Sequence, residues 1–138
     1  MERLDGQRAN CVLYMDGQNY LYTKNKVRNN TLYLLCRLRD TCMARCRVDV
    51  NGRIIHTTQH NHEPDDLAVE IARFMTNLRR RSAEENTSLN IIFRDEQRRF
   101  PNAARNISGF MKRQIVDGQE LDDWEHHHSQ QRSNNSIN

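Results

Sequence analysis

Cys36, Cys42, His60 and His62 stand in the pattern Cys-x5-Cys-x17-His-x-His, and that pattern limits what the chain can fold into. Zinc takes four thiolate or imidazole donors at the corners of a tetrahedron, and two of each close the shell, leaving no position for a substrate. Two cysteines joined by a tight turn supply one edge. Two histidines spaced i, i+2 on an extended strand send both rings from one face and supply another. The implied cofactor is one zinc ion in a structural role, with Cys36, Cys42, His60 and His62 as its ligands. Their two thiolates neutralise it.

The composition explains why such a staple is needed. Hydrophobic residues make up 36% of the 138, charged residues 28%, and mean hydropathy is −0.94. So little apolar material does not fill one ordinary core, so a small stapled module with loosely packed flanks is expected. Cysteines 11, 36, 42 and 46 are all there are. Close spacing with histidines nearby favours metal ligation over a disulfide framework in a reducing compartment. The polar start MERLDGQRAN predicts no secretory leader, and no stretch approaches the roughly 20 apolar residues of a membrane span. The expectation is a soluble intracellular protein with no membrane partner.

Residues 10–62 read as four or five short antiparallel strands. Cys11–Met15 is an apolar run ended by Asp16-Gly17, and Tyr20–Thr23 and Thr31–Cys36 flank the turn-like Asn29-Asn30. Cys42–Val50 and Arg53–Gln59 flank Asn51-Gly52. A two-residue turn there would pair Cys42 with Asn61 and point both histidines away from Cys42. A three-residue loop with Gly52 left-handed pairs Asp49 with Arg53, Cys46 with His56 and Cys42 with His60. The bulged hairpin is therefore predicted, and Cys46 and His56 are read as sheet residues, not further ligands. Each lies four residues from a ligand, roughly 13 Å of strand.

From Glu63 the period becomes helical. Pro64, Asp65 and Asp66 suit a helix start, Leu67, Ile71, Phe74, Met75 and Leu78 recur at helical spacing, and Arg79-Arg80-Arg81 suits its end. A second helix is predicted after Ser88, ended by Pro101, and a weak third over Ala104, Ile107, Met111 and Ile115. The helical region is taken as 63–116. Residues 117–138 are acidic and then polar, and are read as a disordered tail in which His126-His127-His128 is solvated. Cys11 is read as a small buried hydrophobe.

The run Tyr20-Leu21-Tyr22, Leu32-Tyr33-Leu34-Leu35-Cys36, Cys42-Met43-Ala44-Arg45 and His60-Asn61-His62-Glu63-Pro64 resembles the FLYWCH-type zinc finger, a relative of the WRKY and GCM DNA-binding domains. The resemblance covers about a third of the chain. It implies a mostly β, small antiparallel sheet clamped at one end by zinc, with DNA as the usual partner. By position it makes Cys36, Cys42, His60 and His62 the metal ligands and Tyr20 and Tyr22 the leading aromatics. The family's Trp-x-Cys tryptophan falls on Leu34.

Charge is segregated in the same block. Residues 20–62 hold eight basic groups against two acids, a net of +6, whereas the whole chain carries +3. Arg37, Arg39, Arg45, Arg47, Arg53, Lys24 and Lys26 are the candidate DNA contacts, because alternation sends several of them to one side of a sheet that could lie against phosphates. No nucleophile elbow, phosphate loop or carboxylate pair marks an enzyme or a small-molecule substrate. The expected function is zinc-dependent DNA binding in the nucleus, in transcription or chromatin regulation. The alternatives are an interaction module for a chromatin or regulatory protein, using the helix at Leu67–Leu78, and the DNA-binding remnant of a transposase.

Overall fold

Turn chemistry sets the path of the chain in the computed structural model, which describes residues 1–8 and 10–107. The elements are β1 (Glu2–Asp5), β2 (Val12–Met15), β3 (Leu21–Arg28), β4 (Thr31–Cys36), β5 (Arg45–Val48), β6 (Ile54–Thr58), α1 (Asp66–Glu84), α2 (Leu89–Arg99) and α3 (Pro101–Asn106). The strands form one sheet in sequence order, with β2 to β6 paired antiparallel. The sheet has six strands where four or five were expected. The additional one, β1, has no apolar alternation and buries only Leu4 at its centre, so it joins by backbone pairing that periodicity does not reveal.

Asn29 and Asn30 both take positive φ, 52° and 61°, the signature of a tight hairpin turn whose twist matches its strands. Arg28 can then pair directly with Thr31, which draws the polar stretch after Thr23 into β3 and makes it longer than its apolar residues suggest. Asn25 is left unpaired between Lys24 and Lys26, and this bulge moves the register so that Tyr22 faces Cys36.

The β5–β6 hairpin turns as predicted. Gly52 N–H donates to the Asp49 carbonyl at 2.9 Å, Asp49 N–H to the Arg53 carbonyl at 3.0 Å, and Gly52 has φ +81°. Cys46 pairs with His56. Below that pair the prediction fails. Arg45 pairs with Thr58, leaving Thr57 as an extra residue, and both strands end before Cys42 or His60 is reached. Cys42 belongs instead to a turn closed by its own N–H and that of Thr41 on the Leu38 carbonyl, at 2.8 and 2.9 Å.

The described residues divide into two units. The first comprises 1–4 and 12–69. Its buried residues Tyr22, Leu34 and Cys46 pack with Tyr14, Leu32, Val48 and Ile54 on one face of the sheet. Leu34 is 1% exposed.

Among the described residues the second unit comprises 5–11 and 70–107. Phe74, Met75 and Leu78 of α1 pack on Leu89, Ile92 and Phe93 of α2, with Ala103 and Ile107. From Ile71 to Leu78 the apolar stripe of α1, a candidate surface for a protein partner, is thus used by the chain itself, while Leu67 stays exposed. Ser88 caps α2 by accepting from Ile91 N–H, and Pro101 opens α3 instead of only ending α2. Asp65 caps α1, accepting from Ala68 N–H at 3.0 Å, so Pro64 precedes the helix. The arginine triplet does not close it, since α1 runs on to Glu84. Arg79 donates to the carbonyls of Gly6 and Gln7, Arg80 pairs with Glu84, and Arg81 meets Glu85, Asp95 and Glu96. Cys11 is half-buried against Gly6, where an added Cβ would come within 2.5 Å of its sulfur. No described helix is long and apolar enough to cross a membrane. Met111, Ile115, the predicted tail and its three histidines lie outside the described residues.

Candidate metal centre

The turn 38–42 carries Cys42 back beside Cys36 at the end of β4, and both sulfurs are buried. Backbone N–H groups point at them. Leu38 N–H donates to Cys36 Sγ at 3.4 Å, while the N–H groups of Asn61 and Ala44 donate to Cys42 Sγ. Donors of this kind stabilise thiolates. Burial pushes both thiols up. At Cys42 the donated hydrogen bonds overcome it and hold the thiol below its ordinary value, whereas Cys36 stays raised with the neighbouring sulfur adding to the effect. Two adjacent buried sulfurs resist two negative charges, and a divalent cation between them removes that conflict.

His60 and His62 follow β6 and lie outside any strand, so the expected pleat is not what aims them. Local contacts do that. Tyr20 stacks on His60 with ring centroids 3.6 Å apart and planes 3° from parallel, and its hydroxyl donates to the His62 carbonyl at 2.8 Å. His62 Nδ1 lies 2.7 Å from the Glu63 carbonyl, which only accepts, so Nδ1 carries the proton and Nε2 offers its lone pair, 3.3 Å from Cys36 Sγ. His60 Nδ1 is 3.6 Å from Cys42 Sγ, and its Nε2 is 2.8 Å from the Tyr22 hydroxyl. That hydroxyl donates to Asp16 Oδ2 at 2.7 Å. Burial, with the hydrogen bond to Asp16, holds the Tyr22 phenol far above its ordinary range, and burial beside His62 pushes the His60 imidazole down, favouring its neutral form.

One donor atom from each of Cys36, Cys42, His60 and His62 lies within 4.8 Å of all the others. Bond lengths of about 2.3 Å to sulfur and 2.05 Å to nitrogen make the sulfur–nitrogen edge of a zinc tetrahedron about 3.5 Å. The observed 3.3 and 3.6 Å bracket it. Donor chemistry, edge lengths and N–H···S support all fit one structural zinc ion. The four residues singled out from sequence are brought together here, and Cys46 and His56 pair with each other further along the sheet. Asp16 and the Tyr22 hydroxyl were missed. Asp16 reads as the first residue of a turn, and only the β3–β4 register, which the Asn25 bulge sets, puts Tyr22 beside a cysteine ligand.

The basic residues separate by face. Cross-strand pairing aligns Lys26, Tyr33, Arg47 and Ile55 in one row, and Thr23, Leu35, Arg45 and Thr58 in another on the same side. Lys26 Nζ sits 5.1 Å from the Tyr33 ring centre. Lys26, Tyr33, Arg45 and Arg47 line one shallow hollow, and Arg39 and Arg45 line another. Lys24 pairs with Leu34, on the opposite face. Arg37 is engaged by Asp65 at 3.2 Å and Arg53 by Asp49 at 3.6 Å.

The family model of the FLYWCH zinc finger domain matches residues 4–62, a span that contains every residue of this centre. A comparison with curated proteins found no match.

Proposed function

Taking residues 4–62 as a FLYWCH zinc finger domain, a binding module, we propose that the chain binds duplex DNA in the nucleus and acts in transcription or chromatin regulation. The observation that carries this reading is the shared face of Lys26, Arg45 and Arg47 around Tyr33. Three cations on β3 and β5, either side of β4, can neutralise successive phosphates, and a sheet of this size can lie along or enter a groove. Lys26, Arg45 and Arg47 are the primary contacts, with Arg39 at the margin. Arg37 and Arg53 contribute less, since their carboxylate partners already offset them, and Lys24 faces away.

Zinc supplies rigidity and no chemistry. Cys36 and Cys42 as thiolates, with His60 and His62 as neutral imidazoles, would complete its shell and tie the 38–42 turn to the segment after β6. Nothing in that arrangement leaves a metal position for a substrate, so the reading is of a binding protein, not an enzyme.

The test is duplex binding over a series of salt concentrations. The parent should lose affinity steeply with salt, and Arg45→Glu/Arg47→Glu should bind more weakly, with a log–log slope shallower by about 0.9 for each phosphate no longer neutralised. Its zinc content should not change. Equal binding by parent and double variant would reduce the face to solvated surface and favour a protein partner.

A further inference from the structure

The Tyr22 hydroxyl has one proton, and its position is determined by what surrounds it. Asp16 is 2% exposed and Tyr22 0%. Asp16 Oδ1 is occupied by the N–H groups of Gln18 and Tyr20, at 2.9 and 3.0 Å. Oδ2 accepts a hydrogen bond from the Tyr22 hydroxyl at 2.7 Å. With its one proton engaged by the carboxylate, the phenol oxygen can only accept from His60 Nε2, 2.8 Å away. His60 must then carry its proton on Nε2 and present the Nδ1 lone pair, the atom that faces Cys42.

We propose that Asp16 and Tyr22 are positioning residues which, through this chain of hydrogen bonds, select Nδ1 of His60 as its metal-binding nitrogen. The inference rests on the ligand set of the proposed function and goes beyond it. The two histidines then bind through different nitrogens, Nδ1 of His60 and Nε2 of His62, each chosen by the acceptor on the other side of its ring. Partners of this kind fix tautomer and orientation, and losing one typically costs 10–100-fold in metal affinity. The β2–β3 turn, far from the ligands in sequence, is thereby made part of the metal centre.

Asp16→Asn gives a sharp test because it keeps the shape. Its carbonyl oxygen must still accept from Gln18 and Tyr20, so its NH₂ faces the phenol and donates to it. The hydroxyl, left with His60 Nε2 and the weakly accepting Cys46 sulfur, turns toward the nitrogen, which moves the imidazole proton to Nδ1. Tyr22→Phe removes the selection without reversing it.

The experiment is nitrogen-15 NMR of the histidine rings in the full chain, with zinc titrated alone, alongside zinc affinity by chelator competition. The parent should show His60 protonated at Nε2 and metal-shifted at Nδ1, with His62 the reverse. Asp16→Asn should lose roughly 10–100-fold in zinc affinity, and more than Tyr22→Phe loses. Leu34→Val, which trims the core that Tyr22 packs in without touching any hydrogen bond, measures how far loosened packing alone lowers affinity, and both variants should lose more than it does. Metal on Nε2 of His60, or Asp16→Asn binding zinc as tightly as Leu34→Val, would overturn the positioning role while leaving the ligands intact. Zinc that shifts neither imidazole would overturn both.

Discussion

The Tyr20 ring lies flat on the His60 imidazole, 3.6 Å between centroids, while its hydroxyl reaches past to the His62 backbone at 2.8 Å. One side chain thus holds both histidines, one by its face and one by its tip. A segment outside any strand has few other restraints, so the ring takes the place of a ladder. Tyr20→Phe should keep the stack and lose little zinc affinity, whereas Tyr20→Leu should lose roughly two- to tenfold, the worth of an aromatic pair. Chelator competition measures both, and equal losses would show that the hydroxyl, not the stack, matters.

Metal removal should unfold the sheet. Structural zinc contributes about 10–16 kcal/mol in finger peptides, comparable to or larger than the roughly 5–15 kcal/mol by which whole domains are stable. Circular dichroism during chelation should therefore show loss of strand signal, restored by zinc at one ion per chain. Cys36→Ala, Cys42→Ala, His60→Ala and His62→Ala should each abolish tight binding. Cys46→Ser and His56→Asn should keep it, because those two residues pair with each other across the hairpin. Zinc retained by the His62 variant or lost by the Cys46 variant would mean a different ligand set.

Gly52 offers a clean measure of turn strain. Its φ is +81°, and nothing lies within 4 Å of where a Cβ would stand. Gly52→Ala should cost about 1 kcal/mol, the penalty of a left-handed residue with a side chain and no added clash. Urea unfolding of the zinc form reads it. A loss beyond about 3 kcal/mol would require a steric conflict that the open surroundings do not contain.

In the helical unit Glu96 is fully buried, and its carboxylate meets Arg81 at 2.8 Å, Asn77 at 3.2 Å and Arg99 at 3.4 Å. Glu96→Ala takes the buried carboxylate from Arg81, which keeps Glu85 and Asp95. The expected loss is about 2–3 kcal/mol, below or at the lower end of the roughly 3–5 kcal/mol for breaking a buried pair, because Arg81 retains some solvent contact. Glu96→Gln should recover part of it, because its one carbonyl oxygen can still accept from Arg81 and Arg99. Thermal unfolding compares the two, and equal stabilities would make the charge irrelevant.

Ligand types and spacing were legible in the sequence because zinc chemistry admits few donors and the i, i+2 histidines leave little else for them to do. The turn after Val48 was legible too, since Asp49, Asn51 and Gly52 each have a local preference for the position they occupy. So was α2, with Ser88 as a cap and apolar residues at helical spacing. In each case the deciding interaction lies within a few residues of chain, where sequence order and spatial order agree.

What only the tertiary structure decided are the two bulges and all that follows from them. Continued straight from the Asn29-Asn30 turn, the ladder would set Thr23 opposite Cys36, and the unpaired Asn25 brings Tyr22 there instead. Continued straight from Gly52, it would pair Cys42 with His60, and Thr57 shifts that register before the strands end. Neither Asn25 nor Thr57 has a local preference that marks it as the extra residue. A bulge is placed where the whole sheet gains most, here where Tyr22 can lie between Asp16 and His60, and that balance is struck among residues up to 44 positions apart, His60 and Asp16 at its ends. Pattern along a chain records which side of a strand a residue takes; it does not record where the count slips by one.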